Sequence, residues 1–268
     1  MSLKQVLIFD SGVGGLSICK EIVDLGIVAD CNYLFDNAYF PYGELTDKAL
    51  ITRLTQLLSD FASQHPTDLI VIACNSASTV ALQTLRTHFD IPIIGVVPAI
   101  KPASLLTKNN IIGLLATPAT VKRAYTDQLI AQFASDKRVL KIGTTELVKL
   151  AEDKLTGNRI DLDVLKTVLK PWIESKSPPD TIVLGCTHFP WLKNEISFCF
   201  QEVGKKIQLV DSGDAIAKRT QQLLGSEKLN DRMSIYHAFY TKDYQTIAAE
   251  QEVRLRFTAY GFGSLTLF

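Results

Sequence analysis

Two cysteines of the sequence stand in matched surroundings. Asp68-Leu69-Ile70-Val71-Ile72-Ala73-Cys74-Asn75-Ser76 and Asp180-Thr181-Ile182-Val183-Leu184-Gly185-Cys186-Thr187-His188 follow one pattern: an acid, an apolar run, a small residue, a cysteine and hydrogen-bonding residues. The offset is 112 residues at both ends (180 against 68, 186 against 74). A cysteine outside a disulfide most often packs as a small hydrophobe, and Cys19, Cys31 and Cys199 are read that way. Cys74 and Cys186 have polar neighbours that an inert core thiol does not need. If each stands on one side of a carbon acid, a proton lost to one thiolate is replaced from the other thiol on the opposite face, which is a two-base racemisation or epimerisation. A thiol has an unperturbed pKa of about 8.5, so such a site must stabilise thiolate with a nearby basic or cationic group. His188, two residues beyond Cys186, and Asp10, at the end of another apolar run, are the candidate assistants.

Two further segments carry alternatives. Asp10-Ser11-Gly12-Val13-Gly14-Gly15 lies between a strand pattern and a helix pattern, where backbone N–H groups can hold an anion. A dinucleotide fingerprint would need glycine at Ser17, and the Gly-Lys-Ser/Thr ending of a phosphate-binding loop is missing. Asp10 also reads as a helix N-cap. Asp36-Asn37-Ala38-Tyr39-Phe40-Pro41-Tyr42-Gly43 reads either as a turn with aromatic packing or as a carboxylate grip made of backbone N–H groups and the Tyr42 phenol.

These residues must be positioned by a fold, and the apolar runs indicate which. Val6–Phe9, Leu69–Ala73, Ile111–Leu115 and Thr181–Leu184 are short, continuous and followed by turns and helical patterns, as in a parallel sheet covered on both faces. The expected class is α/β, with ligands at the carboxyl ends of the strands. A second, weaker internal match sets Val6–Gly15 beside Ile111–Thr120. The expectation is two similar, pseudo-symmetric α/β domains with mainly parallel sheets and an active site in the cleft between them. The Pro-rich run from Ile91 to Pro102 marks the crossing, and the segment from Leu209 to Asp214 the return. The first domain is then 1–97 with 209–268, and the second 98–208.

Composition narrows the function classes. The 268 residues are 47% hydrophobic and 21% charged, enough for a sizeable core. Lys plus Arg and Asp plus Glu balance at 28 each, with no basic cluster of the kind a nucleic-acid binder uses. No signal-peptide core and no run of membrane-spanning length is present, so a reduced, cytoplasmic setting with no membrane partner is expected. The closest cysteine spacings, 19 to 31 and 186 to 199, contain no CxxC, so no metal is expected.

Taken together, Phe9-Asp10-Ser11-Gly12-Val13-Gly14-Gly15-Leu16, Asp36-Asn37 through Pro41-Tyr42-Gly43, Ala73-Cys74-Asn75-Ser76-Ala77-Ser78 and Leu184-Gly185-Cys186-Thr187-His188-Phe189-Pro190 resemble the glutamate racemases from about residue 6 to 215. The resemblance implies a cofactor-independent interconversion of L- and D-glutamate that supplies D-glutamate to peptidoglycan. It implies that Cys74 acts on the D-enantiomer with Asp10 beside it, and Cys186 on the L-enantiomer with His188 and the acidic Glu152 beside it. Ser11, Pro41, Tyr42, Gly43, Asn75, Ser76, Thr120 and Thr187 fall at substrate-binding positions. Ser76 replaces the usual Thr, and Ala116-Thr117-Pro118-Ala119-Thr120 replaces a commoner Gly-Thr-x-Gly-Thr. The sequence opens directly on its first strand pattern, so the precursor-dependent activation of extended members is not expected. A homodimer is compatible with the family. The alternatives are a racemase of another acidic amino acid such as aspartate, or a racemase-scaffold protein that binds gyrase.

Overall fold

The computed structural model describes residues 3–27, 29–155, 157–225 and 234–268. They divide into two compact units, Met1–Val96 with Gly213–Phe268, and Val97–Ser212.

The first unit opens β1 (Gln5–Asp10), α1 (Leu16–Asp24), β2 (Asp30–Phe35), α2 (Asp47–Gln64), β3 (Leu69–Ile72), α3 (Asn75–His88) and β4 (Ile93–Gly95). The second contains α4 (Ile100–Leu106), β5 (Ile111–Ala116), α5 (Pro118–Lys122), α6 (Ala124–Phe133), β6 (Arg138–Gly143), α7 (Glu146–Leu155), α8 (Leu162–Ile173), β7 (Thr181–Gly185), α9 (Lys193–Gln201) and β8 (Gln208–Val210). The chain then returns to the first unit with α10 (Gly213–Leu224), β9 (Tyr236–Tyr240), α11 (Ile247–Ala259) and β10 (Ser264–Leu267).

Each unit is built on one sheet, and the described strand pairs are all parallel. The strand orders are β10-β9-β2-β1-β3-β4 and β6-β5-β7-β8. The continuous apolar runs are explained by this: β1, β3, β5 and β7 sit inside their sheets with nearly every residue buried. Edge strand β6 differs: each of its six residues is half-buried or exposed, as the open side of a sheet allows. On the first sheet α2 lays down Leu50, Leu54, Leu57, Leu58 and Phe61 at helical spacing, capped at its start by the Thr46 hydroxyl, which accepts from Ala49 N at 3.3 Å. These join Leu7, Phe9, Ile70 and Ile72 in one core.

In both sheets the chain moves outward from a central strand in one direction and then crosses to its other side. Order β2-β1-β3-β4 thus repeats as β6-β5-β7-β8, and the reversal lies between β1 and β3 in one unit and between β5 and β7 in the other. At such a reversal the flanking connections leave in opposite directions and open a crevice at the strand C-termini.

The register refines the internal repeat. Phe9 pairs with Ile72 and Leu115 with Leu184, so β3 and β7 keep the 112-residue offset while β1 and β5 are related by 106 (115 against 9). The expected alignment of Val6 with Ile111 is therefore one residue out: Val6 corresponds to Ile112, Asp10 to Ala116 and Ser11 to Thr117. The acids that open the two motifs lie at the far ends of their strands. Asp68 accepts from Gln5 N and Lys4 Nζ at 2.8 and 3.0 Å. Asp180 accepts from Lys108 N, Asn109 N and Thr107 Oγ1 at 2.8, 2.8 and 2.7 Å. Both are clamps on the entry of a neighbouring strand. The return to the first unit falls at Gly213 and not near 209, because β8 pairs with β7 and holds residues 208–210 in the second sheet.

Candidate active site

In the first unit Cys74 occupies the reversal point. It follows β3 by two residues and is the residue preceding α3, with extended φ and ψ of −67° and 117°. The first-turn N–H groups of α3 therefore lie just beyond it, an environment that favours negative charge. Its thiol donates to Ser11 Oγ at 3.8 Å, and Ser11 Oγ donates to Asp10 Oδ1 at 3.3 Å. Asp10 also accepts from Gly12 N at 3.1 Å. The N-cap alternative for Asp10 is set aside by the geometry, since α1 begins after Gly15 with no side-chain cap. Gly15 is glycine for a steric reason. A Cβ there would meet Tyr33 OH at 2.6 Å and Asp10 Oδ2 at 2.7 Å, and Tyr33 is fixed by donating to Gly12 O at 2.9 Å. Asn75 and Ser76, in the first turn of α3, are buried beside the cysteine. Asn75 Nδ2 is buried and makes no hydrogen bond among the described residues. An amide donor left in that state costs about 1–3 kcal/mol unless a ligand accepts from it.

The turn Pro41-Tyr42-Gly43 belongs to the same unit, and its phenol is already engaged. Tyr42 is buried, and its OH donates to Asp36 Oδ2 at 2.6 Å. Burial, followed by the charge of Asp36, pushes the phenol well above its ordinary value. The grip that this turn offers a carboxylate is thus its backbone, with half-buried Gly43 at the surface of the turn, and not the tyrosine hydroxyl. Sequence reasoning missed Arg53, which binds Asp36 through Nε and Nη2 at 2.9 and 2.8 Å. It lies on α2, and no spacing in the sequence ties it to the turn.

In the second unit Cys186 follows β7 directly and begins a tighter turn, with Phe189 N donating to Cys186 O at 3.1 Å and a 3-10 helix over Phe189–Leu192. Cys186 Sγ lies 3.8 Å from His188 Nδ1, and His188 Nε2 lies 2.7 Å from Glu152 Oε1. His188 is fully buried while Glu152 keeps about a quarter of its side-chain surface. Burial opposes the imidazolium, but the hydrogen bonds to Cys186 and Glu152 and their charges outweigh it, so the His188 pKa is raised well above 6.5. A cationic imidazole beside a sulfur is the arrangement that stabilises thiolate.

Glu152 is carried by α7, which buries Leu147, Val148, Leu150 and Ala151. That helix is tied to the turn after Cys186 by Lys154, whose Nζ donates to Trp191 O at 2.7 Å and to both carboxylate oxygens of Glu195 at 2.7 and 2.9 Å. Lys154 was not among the expected residues. Thr187 is buried next to Cys186. Thr120 is fully buried one turn into α5, where its N–H and hydroxyl both meet Thr117 Oγ1, at 3.3 and 3.0 Å. The residue at the end of β5 that corresponds to Ser11 is thus Thr117.

Among the described residues no group of three or more His, Cys, Asp and Glu side chains is arranged to hold a metal ion, and no helix is long and apolar enough to cross a membrane. Residues 32–220 match the family model described as Asp/Glu/Hydantoin racemase. The chain is 55% identical over 226 residues to a glutamate racemase of Aliivibrio fischeri (strain ATCC 700601 / ES114), covering 84% of this chain and 83% of that one. It is 47% identical over 262 residues to a glutamate racemase of Sodalis glossinidius (strain morsitans), covering 97% and 89%. The crystal structure of Escherichia coli glutamate racemase in complex with L-glutamate and the activator UDP-MurNAc-Ala aligns with a TM-score of 0.90 at 46% identity, over 99% of this chain and 98% of that one. With two thiols at equivalent strand ends, a family model spanning most of the chain and relatives near half identity, the chain belongs to the Asp/Glu/Hydantoin racemase family, where its similarity runs to the glutamate racemases.

Proposed function

We propose that the protein interconverts L- and D-glutamate without a cofactor, using Cys74 and Cys186 as the two bases on opposite faces of Cα. The observation that carries this is the pair of strand-end thiols, each at the reversal point of its own sheet and each hydrogen-bonded to a polar assistant.

The proton inventory is simple. When D-glutamate binds, Cys74 is thiolate and Cys186 is thiol. The Cys74 sulfur removes the Cα proton, the carbanion is held by its carboxylate, and Cys186 delivers its own proton to the other face. L-glutamate leaves an enzyme whose protonation states have exchanged, and the reverse reaction starts from there. Ser11 and Asp10 orient the Cys74 sulfur, and His188, held by Glu152, supports the Cys186 thiolate. Asn75 Nδ2, buried and awaiting an acceptor, is assigned to a substrate carboxylate, with Ser76, Thr187 and the backbone at Gly43 completing the hold. Thr120 shapes the turn from behind through Thr117. The cellular role that follows is supply of D-glutamate to peptidoglycan from the cytoplasm.

The test is turnover by pyridoxal-free protein on D-glutamate and D-aspartate, read by chiral chromatography. Conversion of D-glutamate with a clear preference over D-aspartate supports the proposal. Equal or reversed preference would move the assignment to another acidic amino acid, and no conversion of either would remove it. Because the E. coli relative is bound to an activator and this chain matches 98% of it, the same assay run with and without UDP-MurNAc-Ala measures whether the reaction here responds to that nucleotide.

A further inference from the structure

Asp36 is a fully buried carboxylate of the first unit, and none of the steps above uses it. It directly follows β2, and its N–H donates to Asp10 O at 3.1 Å, extending the ladder of β1 and β2 past the strand end. Its fully buried side chain accepts from Tyr42 OH at 2.6 Å, from Arg53 Nε and Nη2 at 2.9 and 2.8 Å and from Thr241 Oγ1 at 2.5 Å. Asn37 continues the tie. Its Oδ1 accepts from Thr241 N and Lys242 N at 2.9 Å each, and its Nδ2 donates to Lys242 O at 2.7 Å. The Arg53 guanidinium lies 4.7 Å from the centre of the Tyr39 ring, within the same turn. One residue thus joins the end of β1, through its backbone, to the Pro41-Tyr42-Gly43 turn, helix α2 and the segment after β9, through its carboxylate.

An ion pair in such a place is a poor stability device. Desolvating both charges costs about what their attraction returns, and well-packed apolar residues often do as well. What the pair supplies is direction: a two-pronged guanidinium fixes the carboxylate plane, and the fixed carboxylate accepts the phenol's hydrogen bond in one geometry only. The Tyr42 ring packs into the core of the first sheet, and the backbone bonds within the turn are short-range, Glu44 N to Pro41 O and Leu45 N to Tyr42 O at 3.2 Å each, so the phenol–carboxylate bond adds a directional tie to that packing.

We infer that Asp36 and Arg53 are positioning residues that aim the backbone of the Tyr42-Gly43 turn at a substrate carboxylate, acting through the Tyr42 phenol. The inference rests on the racemase reading and names how that site holds the part of glutamate common to both enantiomers. Such a hold is equal in ground and transition states, so its loss raises KM and spares kcat. It also acts alike on both enantiomers, because each carries the same carboxylates and the equilibrium constant between them is unity.

The experiment is steady-state kinetics with L- and D-glutamate on wild type, Tyr42→Phe, Arg53→Lys and Arg53→Met, with thermal unfolding of each. Arg53→Met is expected to raise KM for both enantiomers by about tenfold with kcat within about threefold, as loss of charge-assisted bonds predicts. Arg53→Lys, which keeps the charge and loses the fork, falls between wild type and Arg53→Met. Tyr42→Phe keeps the ring against Phe9, 6.0 Å between centroids, and reports the same KM shift even where Arg53→Met fails to fold. Unchanged KM in Tyr42→Phe and Arg53→Lys, with any loss confined to melting temperature or kcat, overturns the inference alone. A wild-type protein that does not turn over glutamate overturns the reading beneath it as well.

Discussion

The ends of β3 and β7 carry the same residue in the same topology and differ in what surrounds it. Cys74 closes onto an α-helix and is served from the neighbouring strand, by Ser11 and then Asp10. Cys186 enters a 3-10 turn and is served from its own turn and from α7, by His188 and then Glu152. The register shows where the second half departs from the first: the position equivalent to Asp10 is Ala116, which carries no carboxylate. The assistant comes instead from the turn after the cysteine and from α7. Duplicated scaffolds have thus been given unlike bases, one acceptor-rich and one able to carry positive charge. That suits a reaction whose two substrates differ only in the side from which the proton leaves.

The comparison breaks most visibly at the sulfurs. Cys74→Ser and Cys186→Ser should each reduce kcat in both directions by about 10³-fold or more, since each turnover uses one group as base and the other as acid. A variant that keeps turnover near the wild-type rate would mean that its sulfur is not one of the two bases.

Unlike assistants should then be separable. His188→Asn is expected to slow proton transfer at Cys186 by about 10²-fold. The equilibrium constant between enantiomers is unity, so kcat/KM must fall equally in both directions and cannot reveal which transfer is slowed. Isotope effects can. With 2-deuterated L-glutamate the effect on kcat/KM should rise in His188→Asn, and with 2-deuterated D-glutamate it should shrink toward one. Asp10→Asn should give the reverse pattern, and identical changes in both variants would erase the distinction between the halves.

The charge on His188 also sharpens the contrast through pH. Its folded pKa is raised above 6.5, so its protonation adds stability that is fully present below about pH 6.5 and is lost as pH rises through the folded value. The destabilisation caused by His188→Asn should accordingly be larger at pH 6 than at pH 9 in urea unfolding. A gap that widens with pH contradicts a stabilised imidazolium.

The smallest differences belong to the strand entries. Asp180→Ala, which removes the acceptor of two backbone N–H groups and a hydroxyl, should cost about 1–2 kcal/mol. Asp68→Ala, whose ion pair with Lys4 is exposed, should cost less than about 1 kcal/mol. Neither should change kcat, because both lie at the strand ends remote from the cysteines. A catalytic loss in either would show that the repeated acid does more than hold a strand.

Much of this was legible in sequence because it is written in strand patterns. The apolar runs were continuous, so the parallel sheets followed, and the constant offset between Cys74 and Cys186 located the equivalent strand ends. The match between β1 and β5 was read one residue out because small and hydroxyl residues fill both turns, and only hydrogen-bonded register distinguishes Thr117 from its neighbours. Glu152 came from family resemblance, since nothing in its spacing points to His188. Arg53 and Lys154 were not legible at all. Each sits on a helix whose approach to the site is set by packing, and a charged residue on a helix looks the same in sequence whether it faces water or a buried carboxylate. The direction of the Tyr42 phenol was hidden for the same reason: its acceptor, Asp36, was read as part of a turn.

The most direct test of two-thiol transfer is the reaction in deuterium oxide, followed from D-glutamate and separately from L-glutamate at early times. Two monoprotic bases predict that the product enantiomer carries solvent deuterium at Cα from the first turnovers while the remaining substrate stays unlabelled, in both directions. Product that retains the substrate's own proton, or label entering both pools together, would mean that one group serves both faces and would contradict the assignment of Cys74 and Cys186.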